Sequence, residues 1–170
     1  MATERKEVWL QGEKTAGISA LLQPVADALL ESVEEIRTFL EGFPEALLWE
    51  KPGGSASVGF HLKHIAGVVD RLLTYAEGAA LNEQQFSNLK DEAATGNKNI
   101  EELISNLQAS IHQGLERLKA IPETLLPQTR KVGRAGLPST VIGLCFHAAE
   151  HSMRHTGQLL VTVKWLKADH

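Results

Sequence analysis

Apolar residues recur at spacings of three and four along four separate stretches of this chain, and no stretch alternates at the two-residue period of a half-buried strand. The first stretch follows Pro24, with Val25, Leu29, Val33, Ile36 and Leu40 in step before Gly42 and Pro44 end it. The second can be capped by Ser55 or Ser57 and carries Val58, Leu62, Ile65, Val69, Leu72 and Ala76 up to Gly78. The third runs from Ile100 through Leu103, Leu107, Ile111 and Leu118 to Pro122, with Gly114 as a weak point. The fourth starts near Ser139 or Thr140 and continues through Val141, Leu144, Ala148, Leu159 and Thr162 toward Trp165. Four amphipathic helices must bury their stripes against one another. The economical solution is an all-α four-helix bundle.

The connections depart from an idealised up-and-down bundle. Residues 78–98 are rich in Asn, Gln and Glu, and residues 122–138 hold three prolines with Arg130, Lys131 and Arg134. Segments of this length are expected to be crossovers or functional loops. Residues 1–17, with Trp9, read as an arm, and residues 18–170 as the bundle domain. The basic loop would attract a carboxylate-bearing substrate if it lay over a cleft.

Composition narrows the partners. In 170 residues there are 17 Lys+Arg against 21 Asp+Glu, a formal net charge of −4, with no basic cluster of the kind phosphate backbones require. Nucleic acid is not an expected partner. No run approaches the ~18 consecutive apolar residues of a membrane helix, and Met1 to Lys14 is too charged for a signal-peptide core, so a cytoplasmic protein with no membrane contact is expected. The lone Cys145 reads as a small buried apolar residue. What stands out is seven histidines against one tyrosine and two methionines.

Three of these, His147, His151 and His155, are spaced one helical turn apart, about 6 Å of rise between neighbours. On a helical wheel His151 and His155 fall inside the apolar stripe and His147 on its edge. The inward pair occupies positions where a plain bundle would place leucine. Buried imidazoles must find partners for their ring nitrogens, and a shared metal ion satisfies several at once. A third ligand is then expected from a facing helix. The second stretch offers His61 and His64, and periodicity alone favours His61 as the inward one. His112 reads as solvated and His170 as a bystander.

The string His151-Ser-Met-Arg-His155-Thr-Gly-Gln158 resembles the signature of the DinB/YfiT-like superfamily, in which H-x-x-x-H is followed by R-G-Q or a close variant. Ser57-Val-Gly-Phe-His-Leu-Lys-His64-Ile is similar to that family's second-helix pattern, and Leu48-Trp49-Glu-Lys-Pro52-Gly to the loop before it. The resemblance implies a four-helix bundle with long crossovers, a divalent metal held by His64, His151 and His155, and a possible homodimer. It overrules periodicity on the second helix, where His61 stays the second choice as ligand or neighbour. Thr156 stands where many members have Arg, which puts any role of that Arg in doubt here.

Three neutral imidazoles would leave zinc or nickel with its full charge and an open position, as in catalytic rather than structural sites. Such a metal can activate water, polarise a carbonyl or bind a thiol. The resemblance implies a metal-dependent hydrolase acting on a small molecule. Its alternatives are a transferase or isomerase using a low-molecular-weight thiol, and a non-enzymatic metal-binding bundle. His147, Asp70 and Gln158 are weak candidates for catalytic or supporting roles, whereas Glu150 is expected at the surface.

Overall fold

Pro24 in the first turn fixes a backbone angle suited to a helix start, and α1 runs Gln23–Leu40. It ends before Gly42, which takes a left-handed φ of 62°. α2 spans Val58–Ala76, and the Ser57 hydroxyl accepts the Phe60 N–H at its start. α4 spans Ile100–Lys119 behind a reciprocal capping box of Asn99 and Glu102. α5 spans Val141–Ala168, and Thr140 Oγ1 accepts the Gly143 N–H at 3.1 Å. These are the four stretches read from periodicity. The structure is a computed structural model that describes residues 6–168. His170 lies outside them.

α5 sits between α1 and α2, and α4 packs on the far side of α2 and against α1. The sequence neighbours α1 and α2 therefore occupy opposite corners, so the chain crosses the bundle between them. Leu29, Ile36, Leu62, Ile65, Leu107, Ile111, Leu144 and Leu159 meet in one core and are fully buried. Each such side chain contributes roughly 1.5–3 kcal/mol on burial, far more than helix propensity supplies.

Three expectations need correction. Gly114 does not weaken α4: a Cβ there would stand 3.1 Å from Val69 Cγ1, so the glycine lets α4 approach α2 closely. The segment before α4 contains a further helix, α3 (Glu83–Asp91), with an Asn82–Gln85 capping box. The segment before α5 is an antiparallel hairpin, β1 (Thr129–Val132) and β2 (Leu137–Thr140), in which Lys131 pairs with Pro138. Both strands are four residues long and hold no buried residue; β1 alternates only between exposed and half-buried positions, too short and faint an alternation to read.

At the N-terminus, a 3-10 turn at Val8–Leu10 lies against α1, and the Val8 N–H donates to the buried carboxylate of Glu31 at 2.8 Å. Trp9 beside it is largely exposed. Among the described residues no helix is long and apolar enough to cross a membrane.

Candidate metal centre

α2 and α5 run antiparallel, so His61 meets His155 and His64 meets His151. A leucine at any of these positions would contribute its burial energy; the chain instead packs four imidazoles together. His64, His151 and His155 each offer a ligand atom within 4.8 Å of the other two, an arrangement able to hold a metal ion. His64 Nε2 and His151 Nε2 are 2.9 Å apart. The ring centroids of His64 and His155 are 4.4 Å apart, and those of His151 and His155 4.6 Å.

His61 is the more deeply buried residue of the α2 pair, with 2% of its surface exposed, as periodicity suggests. Its Nδ1 lies 3.0 Å from His155 Nδ1, yet it is His64, at the edge of the stripe, that converges with both α5 histidines. Burial pushes His61 down to about 4, with His64 adding to the effect, and His155 down to about 3 through burial and then His64, His151 and His61. His151 is also lowered, by burial first and then by His64 and His147. All three are neutral near pH 7, with lone pairs available.

His64 is held from behind. Its Nδ1–H donates to Glu92 Oε2 at 2.7 Å, and the other carboxylate oxygen accepts from Arg71 Nη1 at 2.5 Å. Glu92 and Arg71 are both buried. Gly67 makes room for them, since a Cβ there would fall 2.4 Å from Glu92 Oε1 and 2.6 Å from Arg71 Nη1. Phe60 stacks on the His64 ring, 5.0 Å between centroids and 13° between planes. Lys63 anchors the end of α3 by donating to the Asp91 and Ala94 carbonyls. The α2 row Lys63, His64, Gly67, Arg71 thus fixes the crossover that delivers Glu92. Periodicity does not reveal this carboxylate; the Asn82–Gln85 capping box, which marks the start of a helix upstream of it, is the available signal.

The remaining candidates separate. Asp70 is engaged away from the histidines, accepting from Arg117 Nη1 and from Gln85 Nε2, each at 2.8 Å. His147 is exposed, with its ring 5.4 Å from that of His151, and forms with Glu150 and His151 a second group within 4.8 Å. Glu150 pairs with Arg154 one turn on. Gln158 is exposed and, with His61 and Arg154, borders a pocket of about 700 Å³. Cys145 is fully buried, its thiol pushed up to about 11, chiefly by burial. Thr156 is buried and donates to the Ser152 carbonyl at 2.9 Å. His112 is exposed. The basic loop is not drawn to the histidines: Arg130 Nε donates to the Ala76 carbonyl at the end of α2, which at 1.5 Å per residue is roughly 18 Å along the helix from His64.

Residues 27–159 match the family model described as the DinB superfamily. The chain belongs to the DinB superfamily. Its matched span contains α2, Glu92 and the first two-thirds of α5, and so all of the histidine cluster. Solved structures share the fold of this DinB-superfamily chain. A conserved protein from Enterococcus faecalis aligns with TM-score 0.67 at 17% identity, covering 86% of this chain and 96% of that one. A Streptococcus pneumoniae protein gives 0.63 at 14% identity, over 95% and 97%. An uncharacterised Clostridium difficile 630 protein gives 0.65 at 13% identity, over 89% and 98%. No curated protein matches the chain.

Proposed function

We propose that this DinB-superfamily protein holds one divalent metal ion, zinc or nickel, on His64, His151 and His155 and acts as a metal-dependent hydrolase on a small-molecule substrate. The observation that carries this reading is the convergence of three imidazoles from two helices, with one buried polar atom still uncompensated. His151 Nδ1 is buried and has no hydrogen-bond partner among the described residues. When bound, a divalent cation held by three uncharged nitrogens supplies Lewis acidity and an open position, the requirement for activating an ester or amide.

The residues around the site place the protons. Glu92 fixes the Nδ1–H tautomer of His64, which leaves its Nε2 with a free lone pair. Without metal, that lone pair accepts a hydrogen bond from His151 Nε2–H, and ligation through Nε2 would move this proton to His151 Nδ1, so the ring stays neutral. His155 is held in the same manner, its Nδ1–H donating to His61 Nδ1 and its Nε2 left free. His61 is thus an orienting partner and not a fourth ligand. The pocket on the His61 side joins Arg154 and Gln158 to the apolar Val161 and Trp165, a lining suited to a small substrate with an apolar portion and a polar group.

Elemental analysis of untagged protein tests the metal: one equivalent per chain is expected, falling to near zero in His64→Ala and in the double variant His151→Ala/His155→Ala. A full equivalent retained in the double variant overturns the site. Turnover is then screened with esters, amides and electrophiles, with and without small thiols. Hydrolysis without thiol supports the reading. Thiol-dependent turnover alone replaces it with an S-transferase, and metal without turnover replaces it with a binding module.

A further inference from the structure

The crossover that brings Glu92 to His64 also closes a hollow of about 610 Å³ between α2 and α4, and this hollow shares no residue with the pocket beside His61. On α2 its floor is Ala66 and Gly67, too small to fill the gap to α4. On α4 it is lined by Asn106, Ser110 and Gln113, which at spacings of four and three share one face of the helix. The crossover adds Asn88 and Asn97, and Trp49 with Leu103 supplies an apolar wall. The volume and the mixed lining are those of a small-molecule site.

The chemistry of the lining selects the ligand. Four of its side chains are primary carboxamides, each offering N–H donors beside a carbonyl acceptor. Asn97, Asn106 and Gln113 make no side-chain hydrogen bond to another described residue, so their polar groups are available. Asparagine is also a poor helix former, and nothing within the chain holds Asn106 in the interior of α4. Charge is balanced. Asp70 is paired with Arg117 and Glu92 with Arg71, while Lys63 donates to the carbonyls at the end of α3, which leaves one Lys98 against one Asp91. Neither an anion nor a cation finds an uncompensated partner there. What fits is a neutral molecule dense in groups that donate and accept together, with an apolar face for Trp49 and Leu103. A sugar has that combination, since each hydroxyl both donates and accepts and the ring C–H groups are apolar.

We infer that this hollow binds a neutral sugar of one or two rings and that the bound sugar strengthens metal binding at His64. The link is Glu92, which lines the hollow and accepts the Nδ1–H of His64. A sugar held between Asn106 and Gln113 of α4 and Asn88 and Asn97 of the crossover ties the crossover to the bundle on both sides of Glu92 in the chain. Glu92 is thereby kept against His64, whose ligation it supports. The coupling is reciprocal, so metal strengthens sugar binding by the same factor. The coupling rests on the metal reading above, whereas the sugar site does not.

Trp9→Phe/Trp165→Phe leaves Trp49 as the one tryptophan of the chain, a reporter at the wall of the hollow. Metal-free protein of this background, titrated with D-glucose, N-acetyl-D-glucosamine and maltose, is expected to give a saturable change in Trp49 fluorescence with at least one of them, at a Kd of about 1 mM or below. Glucose 6-phosphate should bind no better than glucose. Asn106→Leu/Gln113→Leu, at exposed positions of α4, should weaken sugar binding about tenfold or more with circular dichroism unchanged. No saturable change with any of the three sugars, tighter binding of the phosphate ester, or full affinity in the folded double variant overturns the site. The coupling is read by zinc competition against a chromogenic chelator, where saturating sugar is expected to tighten zinc binding about fivefold or more. Equal zinc affinity with and without sugar overturns the coupling. A protein that binds no zinc fails the metal reading and the coupling with it, and the titration of the metal-free protein still decides the sugar site.

Discussion

The carboxylate of Glu92 serves His64 through one oxygen and Arg71 through the other, so its charge and its geometry can be varied separately. Glu92→Gln keeps the shape but exchanges a charged acceptor for a neutral one; metal affinity, read by competition with a chromogenic chelator, is expected to fall about 10–100-fold while the fold persists. Glu92→Ala strands Arg71, a buried cation, and should cost roughly 3–5 kcal/mol in denaturant unfolding. At this scale the sequence is informative only where a residue breaks a pattern. His151 and His155 are conspicuous because they interrupt a stripe that calls for leucine. Glu92 interrupts nothing, since the segment around it has no stripe. The choice between His61 and His64 needs more than periodicity, which reports inwardness, because the residue that converges with both α5 histidines is at the stripe's edge while the fully inward one braces His155.

α3 shows why an element can stay hidden at the level of helices. It buries only Gln85, and its large apolar residues, Phe86 and Leu89, are exposed, so its three turns carry no hydrophobic signal. What holds it is polar: the Asn82 cap, Gln85 reaching Asp70 and Thr74, and Lys63 on its final carbonyls. Asn82→Ala removes one side of the capping box and should lower stability by about 1 kcal/mol. The same variant is expected to weaken metal binding, because frayed α3 no longer holds Glu92 against His64; unaltered affinity in a measurably destabilised Asn82→Ala would separate the two. The four bundle helices are legible for the opposite reason. Each has a continuous buried face bounded by proline, glycine or a capping side chain. The β1–β2 hairpin has only a short, half-buried face, with Val132 against the core, so turn chemistry at Gly133 and Gly136 is its clearest trace.

For the whole molecule, the histidine cluster makes stability depend on pH in one direction. In the unfolded chain His61 and His155 take up protons near 6.5, whereas in the folded protein they do so only at about 4 and about 3. Above 6.5 both states are neutral there and pH has no leverage. Below it the unfolded chain binds more protons, so stability is lost as pH falls from 6.5 toward the folded values. Urea unfolding of metal-free protein should show a loss of about 2–4 kcal/mol between about pH 7.5 and pH 5, and His61→Leu should remove about half of that slope, leaving the share of His155.

The position of α5 carries a temporal meaning as well as a spatial one. It is the last helix of the bundle to leave the ribosome, yet its place is between α1 and α2, which are made first. Until it arrives, the trough it will fill is bordered by Leu29, Ile36, Leu62 and Ile65, and a nascent chain must keep that apolar channel from other partners. The same delay withholds two of the three clustered imidazoles. A chain truncated before α5 retains only His64 of that set, so tight metal capture would certify that α5 had been made.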